Sequence, residues 1–226
     1  MTRTSFVLVL ALSIAGLRFG TAEAAIRQVA LQANLTNAGE PGGVTPTLTT
    51  GAPRPASFGI ADMVLTIDDQ GTANTADDVP TQMTYAASVH NIDFTGSQTA
   101  DTNDNLTVAH IHASDTVTPT TNAGVVWGFF GSPFNDNNPN NQVVMPFTTG
   151  VGGRITGRWD PPEGNNTTLA AQLDNLLTVH AYVNYHTMQF GGGEVRGMIM
   201  VVPEPATMLL AAMGAMMLLP IRRKHD

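Results

Sequence analysis

Apolar and polar residues alternate along most of this chain, in short runs separated by turn-forming residues. Val29, Leu31, Ala33 and Leu35 stand two apart, as do Met83, Tyr85, Ala87 and Val89, and later Val143, Met145 and Phe147. Ile155, Gly157 and Trp159 alternate with Arg154, Thr156, Arg158 and Asp160. Side chains of a β-strand point alternately to its two faces, so each run predicts a strand with one face in the core. The run VVWGFF at 125–130 is apolar on both faces and predicts a central strand. Between the runs lie segments rich in Gly, Pro, Asn and Asp, such as DDQGTANTADDVP and GSPFNDNNPNNQ, which predict turns and loops. Leu169, Leu173, Leu176 and Leu177 share one helical face and predict a short helix, with Asn166 or Thr167 as its cap. Many short strands and one small helix, with no repeat and no second domain, define an all-β chain: an antiparallel β-sandwich or partly closed barrel.

The two ends break the pattern. Arg3, the apolar run Phe6 to Ala15 and the small residues around Ala22-Glu23-Ala24 have the three-part layout of a secretory signal peptide, so residues 1–24 are expected to be cleaved during export. The other end reads VVPEPATMLLAAMGAMMLLPIRRKHD. From Ala206 to Ile221 there are sixteen residues without charge. As a helix these reach only about 24 Å, against about 30 Å of hydrocarbon in a bilayer. Arg222, Arg223 and Lys224 follow, a basic stop that stays on the cytoplasmic side. The β-domain is therefore placed at 25–202 and the tail at 203–226.

Composition narrows the chemistry. The chain has 226 residues, a formal charge of −8 and no cysteine. Thiol nucleophiles, disulfides and Cys-based zinc sites are excluded. Between Ala25 and Val202 five basic residues stand against fifteen acidic ones, a net of −10. Such a surface repels phosphate backbones, so no nucleic-acid partner is expected. No serine of the domain sits in a G-x-S-x-G elbow. Asp68, Asp69, Asn74, Asp77 and Asp78 crowd one loop and offer the oxygen donors calcium takes. Asp101, Asn103 and Asn105 match the start of an EF-hand loop, but Leu106 and His112 occupy the positions that need Gly and Glu.

The tail, with Pro203-Glu204-Pro205, a short apolar helix and a basic end, resembles the PEP-CTERM sorting signal of exported bacterial proteins. That resemblance implies signal peptidase and an exosortase as processing partners, and transient residence in the inner membrane. It also implies delivery to the cell surface or outside, in bacteria that make exopolysaccharide.

Two stretches carry the candidate chemistry of the domain. In LTVAHIHASD, His110 and His112 share a strand face; in LLTVHAYVNYHTMQFGGGEVRG, His180, Tyr182, Asn184 and His186 share another. A glycine turn then starts a returning strand with Glu194 and Arg196 on the same parity, which places one of them beside His186. Two imidazoles at i and i+2 with a third from a neighbouring strand form an N₃ donor set for copper or zinc. The alternative is a buried hydrogen-bonded network of His110, His112, Asn184, His186, Glu194 and Arg196 that braces the sheet. The His-Ile-His strand, Tyr182-Val183-Asn184-Tyr185-His186-Thr187 and Gly193-Glu194-Val195-Arg196-Gly197 together resemble the CHRD domain, named for chordin. That resemblance implies a β-sandwich without settled enzymatic activity. The expected role is accordingly a non-catalytic structural or adhesive one at the cell surface, with polysaccharide or other surface proteins as partners. A secreted copper or zinc enzyme built on the His-x-His strand is the competing reading. The same strands are similar to parts of copper–zinc superoxide dismutase, but that enzyme's bridging histidine and cysteines have no counterpart here.

Overall fold

In the computed structural model, which describes residues 25–203, the alternating runs become antiparallel strands. They are β1 (Ile26–Thr36), β2 (Phe58–Asp68), β3 (Val79–His90), β4 (Leu106–Ala113), β5 (Val125–Phe130), β6 (Val143–Pro146), β7 (Gly152–Trp159), β8 (Ala181–Thr187), β9 (Val195–Met198) and β10 (Met200–Val201). Helix α1 (Leu173–Leu177) follows a 3₁₀ turn at Ala170–Gln172. The strands form one sheet in the order β5-β4-β8-β9-β1-β2-β3-β7-β6, with β10 also paired to β1. The sheet curls between β9 and β1, where the pairing narrows to Thr36 opposite Arg196. A Cβ on Gly197 would overlap the Asn34 carbonyl there, so glycine permits the close crossing.

The curl sets two layers face to face, β5-β4-β8-β9 against β1-β2-β3-β7-β6. Leu31, Ala33, Leu35, Met63, Leu65, Met83, Tyr85 and Val89 line one inner face; Ala109, Ile111, Trp127, Phe129, Val183, Tyr185 and Val195 line the other. Of these, Leu31, Ala33, Leu35, Met83, Tyr85 and Val89 are picked out by the period of two, whereas Met63 and Leu65 of β2 are not. Tyr85 packs on Phe129 with ring centres 4.3 Å apart, and Trp127 stacks on Trp159 at 5.5 Å. Burying a ring such as Phe129 contributes about 2–3 kcal/mol. The Tyr85 and Tyr185 hydroxyls meet across the core at 2.9 Å, so neither polar tip is left unpaired.

Three expectations are corrected. VVWGFF is not central: β5 is the last strand of its layer. Its outer edge is covered by loop atoms, with Asn165 donating to the Val126 and Val125 carbonyls and the Asn135 amide to Gly128. The run is apolar on both faces because loops roof it, and this also protects the edge. Strand β6 turns Val144 to the core and leaves Val143 and Met145 exposed, since Val144 pairs opposite the buried Ile155. The helix takes no cap from Asn166 or Thr167; the Thr168 hydroxyl accepts from the Ala171 amide. Leu169, Leu173 and Leu176 are buried as their spacing predicts.

Among the described residues no helix is long and apolar enough to cross a membrane. The signal peptide expected at 1–24, and Glu204, Pro205, Arg222, Arg223 and Lys224 of the tail, lie outside the described residues.

Candidate metal centre

One face of β4, β8 and β9 builds the core; the opposite face carries polar residues. On β4 the inward side chains are Ala109 and Ile111, which sends His110 and His112 outward together. Antiparallel register then sets His110 opposite Asn184, His112 opposite Tyr182, and Val108 opposite His186. On the far side of β8, Asn184 pairs with Arg196. This face is not solvated. His110, His112 and His186 are 4, 7 and 6 % exposed, because the loops after β4, β5 and β8 fold over them.

Those loops fix each ring by one nitrogen. His110 Nε2 lies 3.2 Å from the Ser132 carbonyl, His112 Nδ1 2.9 Å from Ala123, and His186 Nδ1 3.0 Å from Gly191. A carbonyl only accepts, so in each ring the bonded nitrogen carries the proton and the other nitrogen the lone pair. The remaining nitrogens, His110 Nδ1, His112 Nε2 and His186 Nε2, are buried and have no hydrogen-bond partner. The ring centres are 5.3 to 5.9 Å apart. Each histidine offers one ligand nitrogen, and these all lie within 4.8 Å of one another. Gly128, opposite His110 on β5, leaves room for this packing: a Cβ there would overlap the Pro133 carbonyl and come within 3.1 Å of the His110 ring.

The electrostatics keep the donors neutral. Burial, followed by the neighbouring His186 and His112, pushes His110 down to about 4. Burial also brings His112 to about 4, with His186 and Arg196 adding to the effect, and burial lowers His186. Three neutral imidazoles with ligand nitrogens within 4.8 Å of one another, each ring held by a carbonyl on one nitrogen, have the inner and outer coordination shells of a metal site. Leaving three buried acceptors unpaired is otherwise costly, at about 1–3 kcal/mol each. The residues present therefore fit a transition-metal ion.

The remaining polar residues separate into two groups. Arg196 sits over the Tyr182 ring at 3.6 Å and donates to the Thr118 and Thr121 carbonyls and to Asn122. Tyr182 in turn stacks on His112, with ring centres 4.8 Å apart and planes 2° from parallel. Glu194 is turned away from the histidines. It is fully buried and accepts from Arg54 at 2.5 Å, from Thr187 at 2.6 Å and from Ser57. Neither Glu194 nor Arg196 forms a hydrogen bond or ion pair with His186, whose ring is held by the Gly191 carbonyl instead.

Glu40, which follows β1, had no signal in the sequence beyond its place in a turn-rich loop. It lies near Arg196 and Asn184, and burial pushes it up to about 7. Tyr182 was legible, since it shares strand parity with Asn184 and His186. The roofing carbonyls of Ala123, Ser132 and Gly191 were not, because they arrive through loops. The acidic residues at 68–78 do not converge. Asp69 accepts from the Ala25 and Gly71 amides, Asp68 from Gln70, Asp77 from Thr72, and Asp78 pairs with Arg27. Asp101 is likewise held by Thr49 and by the Asn103 amide.

Fold and site together define a roofed β-sandwich: two antiparallel layers, one with its outer polar face enclosed around a histidine triad. The CHRD domain family model matches residues 31–199, and the chain belongs to the CHRD domain family. No curated protein and no solved structure matches the chain.

Proposed function

We propose that this is an exported CHRD-domain protein that holds one transition-metal ion between β4 and β8 and serves outside the cell as a non-catalytic structural or adhesive module. One observation carries the reading: three buried histidines each offer a ligand nitrogen within 4.8 Å of the others, and each ring keeps one buried nitrogen without a partner while a carbonyl fixes its other nitrogen. The ion cross-links neighbouring strands, in a domain that has no disulfide to do so. The loop roof favours a holding role over catalysis, because a catalytic metal keeps a position open to substrate.

Export rests on the leader at 1–24 and sorting on the Pro203-Glu204-Pro205 tail. In this reading signal peptidase removes the first, and an exosortase the second, at the inner membrane. The product then resides at the cell surface or in the polysaccharide matrix. Phe58, Ile60, Val143 and Met145 are exposed on the outside of the second layer and offer apolar area for adhesive contact.

The test is elemental analysis of the purified protein beside a His110→Ala/His112→Ala variant. One equivalent of copper or zinc in the parent, lost in the variant, is the expected result. A parent that stays metal-free after incubation with both ions would sink the proposal.

A further inference from the structure

We infer that the ion is copper in its monovalent state, held three-coordinate by His110 Nδ1, His112 Nε2 and His186 Nε2; this rests on the metal-centre reading above. Three features of the site select charge and coordination number together.

The donor set is neutral. Among the described residues no carboxylate joins the cluster, and the chain has no cysteine. The cost of burying an ion grows with the square of its charge, so a dication costs about four times as much as a monocation of equal size. Dications in proteins normally offset that cost with anionic ligands or an open, hydrated position. This site supplies neither.

The fixed charge beside it is positive. Arg196 is 1 % exposed and flanks the Tyr182 ring from β9, while His112 flanks it from β4. Repulsion from the guanidinium doubles when the bound ion carries two charges instead of one. Glu40 is the carboxyl on this side. Held near neutrality by burial, it gives only partial compensation at neutral pH.

A fourth ligand is missing. Zinc in closed sites is almost always tetrahedral. Asn184 on the same face has a buried Oδ1 without a hydrogen-bond partner, but its amide is turned toward the glycine turn: a Cβ on Gly193 would lie against both its nitrogen and its oxygen. Its Nδ2 reaches toward the Gly192 carbonyl at 3.5 Å. The free nitrogen of each ring is closed to solvent, so none of them faces an open, hydrated position. Cu(I), a filled-shell monocation, accepts three-coordinate geometry, whereas Zn(II) in closed sites takes a fourth ligand.

The experiment is a pair of competition titrations on the metal-free protein: oxygen-free Cu(I) against bicinchoninate, and Zn(II) against a fluorescent chelator. The expected result is one equivalent of Cu(I), bound tighter than Zn(II) by about 100-fold or more, ~2.7 kcal/mol of discrimination. X-ray absorption of the copper form should show a three-coordinate site with nitrogen scatterers only. His112→Gln, shown to be folded by circular dichroism, should lose the Cu(I) equivalent. His90→Ala, on the other layer, should keep it. Zn(II) bound as tightly as Cu(I), or a four-coordinate copper spectrum, would overturn the monovalent assignment and leave the metal centre standing. Failure to bind either ion would remove the centre itself.

Discussion

Glu194→Ala should be among the most damaging single substitutions in this domain. The Glu194 carboxylate is fully buried and faces Arg54, whose side chain is 3 % exposed. Removing the carboxylate leaves the guanidinium buried with the Asn91 carbonyl and the Ser57 hydroxyl as hydrogen-bond partners, and Asp101 and Asp104 as the remaining carboxylates that act on it. The Thr187 hydroxyl loses its acceptor as well. Breaking one side of a buried pair costs about 3–5 kcal/mol, because the surviving charge loses its direct partner. For a domain of this size each kcal/mol lowers Tm by about 2–4 °C, so a fall of roughly 6–20 °C is expected. Thermal and urea unfolding followed by circular dichroism measure it. The double variant Arg54→Met/Glu194→Leu removes both charges and should be more stable than Glu194→Leu alone. A loss below about 1 kcal/mol in Glu194→Ala, or a double variant no better than the single one, would show that Glu194 is not the anchor of a desolvated pair.

Three further outcomes follow from the polar face. The metal-free protein should lose stability as pH falls from about 6.5 through about 4: His110 and His112 stay neutral when folded but take up protons when unfolded. Above that window their contribution is flat; within it the loss is on the order of 3 kcal/mol per histidine before solvent screening is allowed for, and comparison with His110→Gln/His112→Gln isolates it. Glu40 has the opposite sign. Its folded pKa is raised to about 7, so ionising it at higher pH destabilises the native state, and Glu40→Gln should gain about 1–3 kcal/mol relative to the parent at pH 8 but not at pH 4. Gly128→Ala should cost roughly 1–3 kcal/mol by driving a methyl into the Pro133 carbonyl and the His110 ring, and should weaken metal binding in parallel; equal stability and binding would mean the loop yields freely.

Alternation alone located most strands and the inner face of the sandwich, because a period of two reports which side chains leave water. It failed at VVWGFF and at β6. There the covering or exposing partner is a loop or strand far along the chain, and local pattern carries no trace of it. The histidine face shows the same division. His110, His112, Asn184 and His186 were placed on shared strand faces by parity, and antiparallel pairing of β4 with β8 does the rest. The pairing of Glu194 with Arg54 was invisible, since 140 residues separate the partners. So was the roof of carbonyls that fixes the ring tautomers, because backbone atoms of Ala123, Ser132 and Gly191 have no residue-type signature. Glu40 illustrates the limit: its raised pKa comes from burial by tertiary contact, and nothing in its neighbours along the chain distinguishes it from a solvated loop acid.

Crystals of the protein grown with copper under reducing, oxygen-free conditions, with diffraction collected above and below the copper absorption edge, would locate the ion itself. An anomalous peak bonded to His110 Nδ1, His112 Nε2 and His186 Nε2, with the opposite ring nitrogens still on their backbone carbonyls, is the predicted result. Anomalous density elsewhere on the surface, with an ordered water or nothing among the three rings, would contradict it and return the histidines to the role of a hydrogen-bonded brace.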